Sequence, residues 1–392
     1  MSLFRKILMC GGKEIKETQK IYYNSTKQLG KLGLPVLSSQ YDESTGNGVL
    51  ICARDITKIE DEALYQNRNI QSIIFPITLE KIGDDALSQT SLKELTIPIL
   101  FNFDGSDTID GRSMQNVNII INDINDLFNS NMISQLQFEN YTSTYYTEYL
   151  VHIIYNNEKI INFTIPENIS NIVYLQFKKC SFESIYFGDN VISIETNAIK
   201  DCYNCKNIFI GKNVNDISYS SNLKSLESII VDSDNQYYND GGGNNCIINT
   251  QTNELILGCK TTIIPNTVTT INSCAFYGNV HTDVFEIPDS VEHVRNNAFY
   301  NCSINKLVFG ENIKYLGNFI IGHETNATKY NTHILDFRKA KQVPTIDDLL
   351  PSYQINADII VPDELYDVWV ADAGWASNKD TTIIKASEYV EE

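Results

Sequence analysis

The sequence predicts a repeat solenoid, a β-rich coil of stacked turns with a non-repeating cap at each end. Three observations carry this. One unit of apolar spacing recurs along most of the 392 residues, and copies fall at the same step from Ile56 to Leu79 and from Val268 to Val291. Each copy ends in one short strand closed by Pro or Gly. The composition, 42% hydrophobic and 20% charged, supplies a large core.

The unit is clearest in Val291 to Gly310, VEHVRNNAFYNCSINKLVFG. Val291 and Val294 are apolar anchors of a turn. Ala298-Phe299 follows four residues later, then Cys302, then a strand with Ile304, Leu307 and Phe309. Small Ala suits a tight turn, and the next residue fills the core opposite the strand. Other copies are Ile56-x-x-Ile59-x-x-x-Ala63-Leu64 with a strand ended by Pro76, and Leu79-x-x-Ile82-x-x-x-Ala86-Leu87 with one ended by Pro98. Val191-x-x-Ile194-x-x-x-Ala198-Ile199 runs to Gly211, and Val268-x-x-Ile271-x-x-x-Ala275-Phe276 runs to Pro288. Pro has no N–H, so it ends a strand without leaving a ladder bond unmade. No unit can bury its face alone, so neighbours must stack. Periods of about 20–29 residues with one strand each are the signature of a right-handed leucine-rich-repeat solenoid.

In chain order, residues 1–19 match no repeat. MSLFRKILMCGG starts basic, but its apolar run is far shorter than the roughly 7–15 residues of a secretory leader. No cleaved leader is expected, and Phe4, Ile7 and Leu8 read as an anchoring arm. Residues 20–55 read as a β cap, with strands at 21–23, 34–37 and 49–51. The repeats span 56–337, with insertions at 99–160 and 232–258. In the first, Asn118 to Ile121 and Tyr149 to Tyr155 read as strands, with a short helix between. In the second, Cys246-Ile247-Ile248 and Leu255-Ile256-Leu257 read as a hairpin projecting from the array. Residues 338–392 read as a C-terminal cap. It contains a helix opened by Pro362-Asp363 and both tryptophans, Trp369 and Trp375, as large shields for the last core layer.

Net charge is −19, which argues against nucleic-acid binding and anionic membranes. No window approaches the roughly 20 apolar residues of a membrane span. The nine cysteines are an odd number, and Cys202 and Cys302 fall on one repeat position, so reduced structural thiols are expected. Cys202-x-x-Cys205 lacks the second pair a zinc site wants. Asp232-x-Asp234-Asn235 lacks the Gly and bidentate Glu of a calcium loop and reads as a turn. The histidines sit in different repeats with no shared spacing, and no hydrolase or phosphate-loop motif appears. No enzyme, cofactor or metal is expected.

Partner binding remains. The residue two before each closing Pro or Gly points out of the core. Read along the chain, these are Ile74, Thr96, Thr164, Tyr186, Phe209, Ile263, Glu286 and Val308, with Ile230 at the matching place before Asp232. Tyr186, Phe209 and Ile230 are consecutive and should form an exposed apolar strip, with Lys206 and Asn207 beside it. A cross-strand ladder that only stiffens the sheet is the alternative.

The motifs V-x-x-I-x-x-x-A-F-x-x-C with I-x-I-P, V-D-x-D-N-x-x-Y at 231–238, YLVHIIYNNEKIINFTIP at 149–166 and the VPDELYDVW tail resemble BspA-like leucine-rich repeat proteins. The likeness covers about residues 20–392. Such proteins are known from gut bacteria, their phages and some protists. The resemblance implies a binding or adhesion role towards a protein partner or host-surface glycan, with a homo-oligomer open. Joined to the N-terminal reading, the expectation is a phage virion protein (fibre or decoration), held to virion proteins by the arm. A bacterial cell-surface adhesin is the alternative.

Overall fold

The computed structural model describes residues 9–10, 13–99, 114–129, 149–218, 222–322, 334–347, 357–376 and 382–390. The chain is a β-solenoid with little helix. It forms two compact units, Met1–Ile160 and Ile161–Glu392.

In the first unit, β1 (Lys20–Ser25), β2 (Val36–Tyr41) and β3 (Asn47–Cys52) form an antiparallel group. β1 also pairs antiparallel with β4 (Ile70–Ile74), and from there the ladder is parallel. It continues through β5 (Glu94–Pro98), β6 (Asn116–Ile121) and β7 (Leu150–Tyr155). The sequence suggested a break at 99–160, yet β6 and β7 extend the sheet. Val117 and Val151 stand in register with Leu95, and Ile119 and Ile153 with Ile97, and all are buried. The inward pair is therefore conserved in kind although the spacing between strands is not.

In the second unit, β8 (Asn162–Thr164), β9 (Ser184–Phe187), β10 (Asn207–Ile210) and β11 (Ser228–Val231) form a parallel sheet. After it comes the hairpin of β12 (Cys246–Asn249) and β13 (Glu254–Gly258). It does not project as expected. β13 pairs with Thr270–Ile271, and Cys246, Ile248 and Leu255 enter the main core. Burying these apolar side chains outweighs any role for the hairpin as an arm. A second parallel face follows, built from β14 (His281–Glu286), β15 (Ser303–Val308), β16 (Ile334–Asp336), β17 (Asp358–Val361) and β18 (Thr382–Lys385).

The corners explain the repeated Ala. The residue before it takes a left-handed backbone: Glu62, Asp85, Asn197, Cys274 and Asn297 have φ of 54, 53, 57, 59 and 57°. Four positions on, Gln66, Gln89, Asp201, Gly278 and Asn301 do the same. Two such reversals flank each Ala, and Ala86, Ala198, Ala275 and Ala298 are fully buried between them. The turns are then stitched by backbone bonds. The Phe276 N–H donates to the Ala298 carbonyl at 2.8 Å, and Leu64 to Ala86 at 2.8 Å. Turns also approach closely at Gly211, where a Cβ would lie 2.6 Å from the Gly188 backbone.

The repeat cysteines have a definite task. The Cys202 thiol donates to the Phe177 carbonyl at 3.0 Å, and Cys302 to Phe276 at 2.9 Å, each one turn back. Cys52, Cys180, Cys202, Cys205, Cys246, Cys259, Cys274 and Cys302 are free and buried. Near the C-terminus, the expected helix is split. A 3-10 turn (Asp363–Leu365) leads into α1 (Tyr366–Ala371), and α2 (Ala373–Ala376) follows. The Asp372 carboxylate accepts from the Gly374 N–H at 2.9 Å and caps the start of the second helix. Trp369 and Trp375 are both buried against Phe337, with ring centroids 5.2 and 5.5 Å away.

Candidate functional site

The outer face of β8–β11 is built by strand alternation. Ile185, Ile208 and Ile229 point inward and are buried. Their neighbours therefore point out. Parallel pairing sets Thr164, Tyr186, Phe209 and Ile230 side by side. The Tyr186 and Phe209 rings stack with centroids 4.2 Å apart and 5° between planes. Both are half-buried, while Ile230 is 44% exposed. On the next turn Ile263 is 71% exposed. Thr261, two residues before it, donates its hydroxyl to the Glu227 carbonyl, which places this turn beside β11.

Two residues earlier on each strand lies a second row, Asn162, Ser184, Asn207 and Ser228, also in register. The Asn207 amide donates to the Ser184 hydroxyl at 3.0 Å. Lys206, expected beside the strip, is engaged by Glu183 at 2.9 Å, and this partner raises its pKa. Lys260 is likewise held by Glu227, and Lys212 by Asp189 at 2.8 Å. The face is thus an apolar ridge beside an uncharged amide and hydroxyl row, with its bordering lysines paired.

The other outward positions vary. Glu286 is exposed, and Ile74 and Val308 are half-buried. Thr96 stands outward by register but is covered, because the Asn118 amide lies over it and donates to its hydroxyl at 3.1 Å and to Glu94 at 2.7 Å. Phe4, Ile7 and Leu8 lie outside the described residues, as do His323 and His333.

Among the described residues, Cys202 and Cys205 included, no group of three or more His, Cys, Asp or Glu side chains is placed to hold a metal. Burial pushes the Cys205 thiol up to about 12 and raises Cys202 well above its ordinary value. Asp232 accepts from the Asp234 N–H at 2.8 Å, a turn bond.

Two features carried no signal in the spacing of the repeats. One is a column of asparagines. Asn190 donates to the Pro166 carbonyl at 2.8 Å, Asn213 to Asp189 at 2.7 Å, Asn235 to Gly211 at 2.8 Å and Asn312 to Asp289 at 2.8 Å. Asn two residues after a closing Gly, at 190, 213 and 312, was the available clue. The other is a cleft of about 700 Å³ in the first unit, lined by Ile15, Tyr22, Ile74, Phe75, Ile120 and Asn157 among others. At its wall Glu17 bridges Lys20 at 2.6 Å and the Tyr22 hydroxyl at 3.0 Å. Its residues come from separate segments, so no linear motif marks it.

Among the described residues, no helix is long and apolar enough to cross a membrane. No curated protein matches the chain. Among solved structures, a leucine rich cell surface protein from Faecalibacterium prausnitzii is similar at 20% identity, over 85% of each chain, with a TM-score of 0.43. A leucine-rich repeat protein from Eubacterium ventriosum is similar at 16% identity, over 84% of this chain and 71% of that one, with a TM-score of 0.38. The model of the BspA type leucine rich repeat region matches in 6 copies, over residues 49–153, 148–257 and 254–334. With most of its length in those copies, the chain belongs to the BspA-type leucine-rich repeat family.

Proposed function

We propose that this chain is a non-enzymatic binding scaffold displayed on a surface, and that the Tyr186–Phe209–Ile230 ridge is its contact face. One observation carries the reading: three large side chains from consecutive turns stand in register on an outer strand face, with Ile230 44% exposed. Contiguous apolar surface of this kind marks interaction sites. The buried, proton-holding thiols support a structural rather than a nucleophilic role for the cysteines.

Phe209→Glu tests it. The substitution puts a charge on the ridge while leaving Ile208 and Ile210 in the core. Purified variant and wild type are compared for binding to intact bacterial cells, with thermal melting as the folding control. Weakened binding at unchanged melting temperature is expected; unchanged binding would leave the row as a stiffening ladder only.

The finer form of this reading is display on a phage virion as a fibre or decoration protein, with contacts to protein or glycan. It takes Phe4, Ile7 and Leu8 as the apolar residues of an attachment arm. Display on a bacterial cell as an adhesin is the second form, and family membership accommodates both. Immunogold labelling of virions and of cell envelopes separates them: gold on envelopes alone removes the virion form.

A further inference from the structure

We infer that the outer face of β8–β11 takes a neutral, linear oligosaccharide laid along the stack, across the strands. This rests on the contact-face reading above and names its ligand class.

The face repeats two chemistries at one step. The strands contribute Tyr186, Phe209 and Ile230 to the ridge and, two positions before each ridge position, the accessible Asn162, Asn207 and Ser228, while Ser184 is buried and bonded by the Asn207 amide. Parallel neighbours lie about 4.8 Å apart, and residues two apart on a strand are separated by about 6.6 Å. A ligand matched to this surface must present an apolar patch and a polar rim once per step. A linear chain of sugar rings does so, with C–H faces towards the ridge and hydroxyls towards the second row. An extended peptide advances about 3.3 Å per residue. Laid along the stack it loses register with the strands, and laid parallel to them it meets one repeat only.

Charge narrows the class further. Lys206, Lys212 and Lys260 border the face, and each is already paired with a carboxylate: Glu183, Asp189 and Glu227. An anionic sugar would have to break those pairs inside a chain of net charge −19. The ring geometry agrees with a ridge rather than a platform. Tyr186 and Phe209 turn their flat faces to each other at 4.2 Å, so a ligand meets ring edges and the Ile230 side chain. Affinity is then spread over several rings of the glycan, and short sugars bind weakly.

The test is calorimetric binding of the full chain to hexaoses of 1,4-linked glucose, mannose and xylose, with an oligogalacturonate of equal length as the charged comparison. Binding of at least one neutral hexaose, stronger than its disaccharide and stronger than the galacturonate, is expected. Asn207→Ala and Ile230→Asp should each weaken it about tenfold, with unchanged melting temperature. Failure of all neutral hexaoses to bind, or equal binding of the galacturonate, overturns the inference. The cell-binding comparison with Phe209→Glu keeps the two levels apart. If that variant loses cell binding while no hexaose binds, the contact face stands and its ligand is a protein. If it binds cells as wild type does, both readings fall.

Discussion

Cys302 donates its S–H to the carbonyl of Phe276, 2.9 Å away and one turn back in the coil. Cys202 does the same to Phe177. The thiol is a second donor to a corner carbonyl that also accepts the Asn279 N–H at 2.9 Å. Cys302→Ala should therefore lower stability by about 1 kcal/mol, from one lost bond. Cys302→Ser keeps a donor and should lose less. Denaturant melts of both variants decide it; equal losses would reduce the thiol to mere filling.

Thiol chemistry gives a second expectation. Burial pushes Cys246 and Cys302 up to about 12 and about 11. The eight buried cysteines should not react with an aromatic disulfide reagent in the native state and should all react after unfolding. Rapid native labelling of Cys202 or Cys205, mapped by mass spectrometry, would contradict the structural role.

His152 sets a pH dependence. Burial, with Lys159 nearby, lowers its pKa from 6.5 to about 4. Its Nε2 lies 3.0 Å from the Asn116 side-chain oxygen. Because folding depresses the value, the unfolded chain takes the proton first. The stabilisation is complete above about 6.5 and is lost as pH falls towards 4. Discounted for the exposed part of the ring, it amounts to about 1–2 kcal/mol. The wild-type melting temperature should fall across this window more than that of His152→Gln, and an NMR titration of the ring should show no protonation above pH 5. A midpoint near 6.5 would refute this.

Asp336 is almost fully buried yet stays ionised. Burial pushes its carboxyl up, but Arg338 and Lys306 prevail and hold it below the ordinary range. Its contribution is present above the unfolded carboxylate value of about 3.9 and is lost as pH falls through the lower folded value. Asp336→Asn removes the carboxylate shared by Lys306 and the part-exposed Arg338, both of which keep the Tyr389 ring, and should cost about 2 kcal/mol at neutral pH, with the loss shrinking in acid. Chemical denaturation at pH 7 and pH 3 measures both quantities.

The two tryptophans should respond differently to the same change. Trp375 donates its ring N–H to the Pro344 carbonyl at 3.1 Å, whereas the buried Trp369 N–H has no hydrogen-bond partner among the described residues. Trp375→Phe should therefore destabilise by about 1 kcal/mol more than Trp369→Phe. Melting curves of the pair test this, and the reverse order would refute it.

The spacing of apolar residues made the ladder of the second unit legible, down to the register of Tyr186, Phe209 and Ile230. Each sits two residues before the residue that closes its strand, and parallel pairing preserves that count. Spacing could not reveal that β6 and β7 extend the first sheet, since connections of unequal length hide a regular ladder. Nor could it place Leu255 of the hairpin in the core, which depends on pairing with Ile271. The state of Lys206 was likewise hidden: its partner Glu183 belongs to the preceding turn, and only the fold brings them together.

The approach of Gly211 to the Gly188 backbone has an evolutionary consequence. A Cβ at Gly211 would meet that backbone at 2.6 Å, so the contact tolerates hydrogen and little else. A gene that gains or loses whole turns by unequal recombination keeps its core only if the junction falls so that such glycines still face each other. Length variation in this part of the chain should thus come in complete units, and each added unit would extend the outer face by one rung without redesigning the interior.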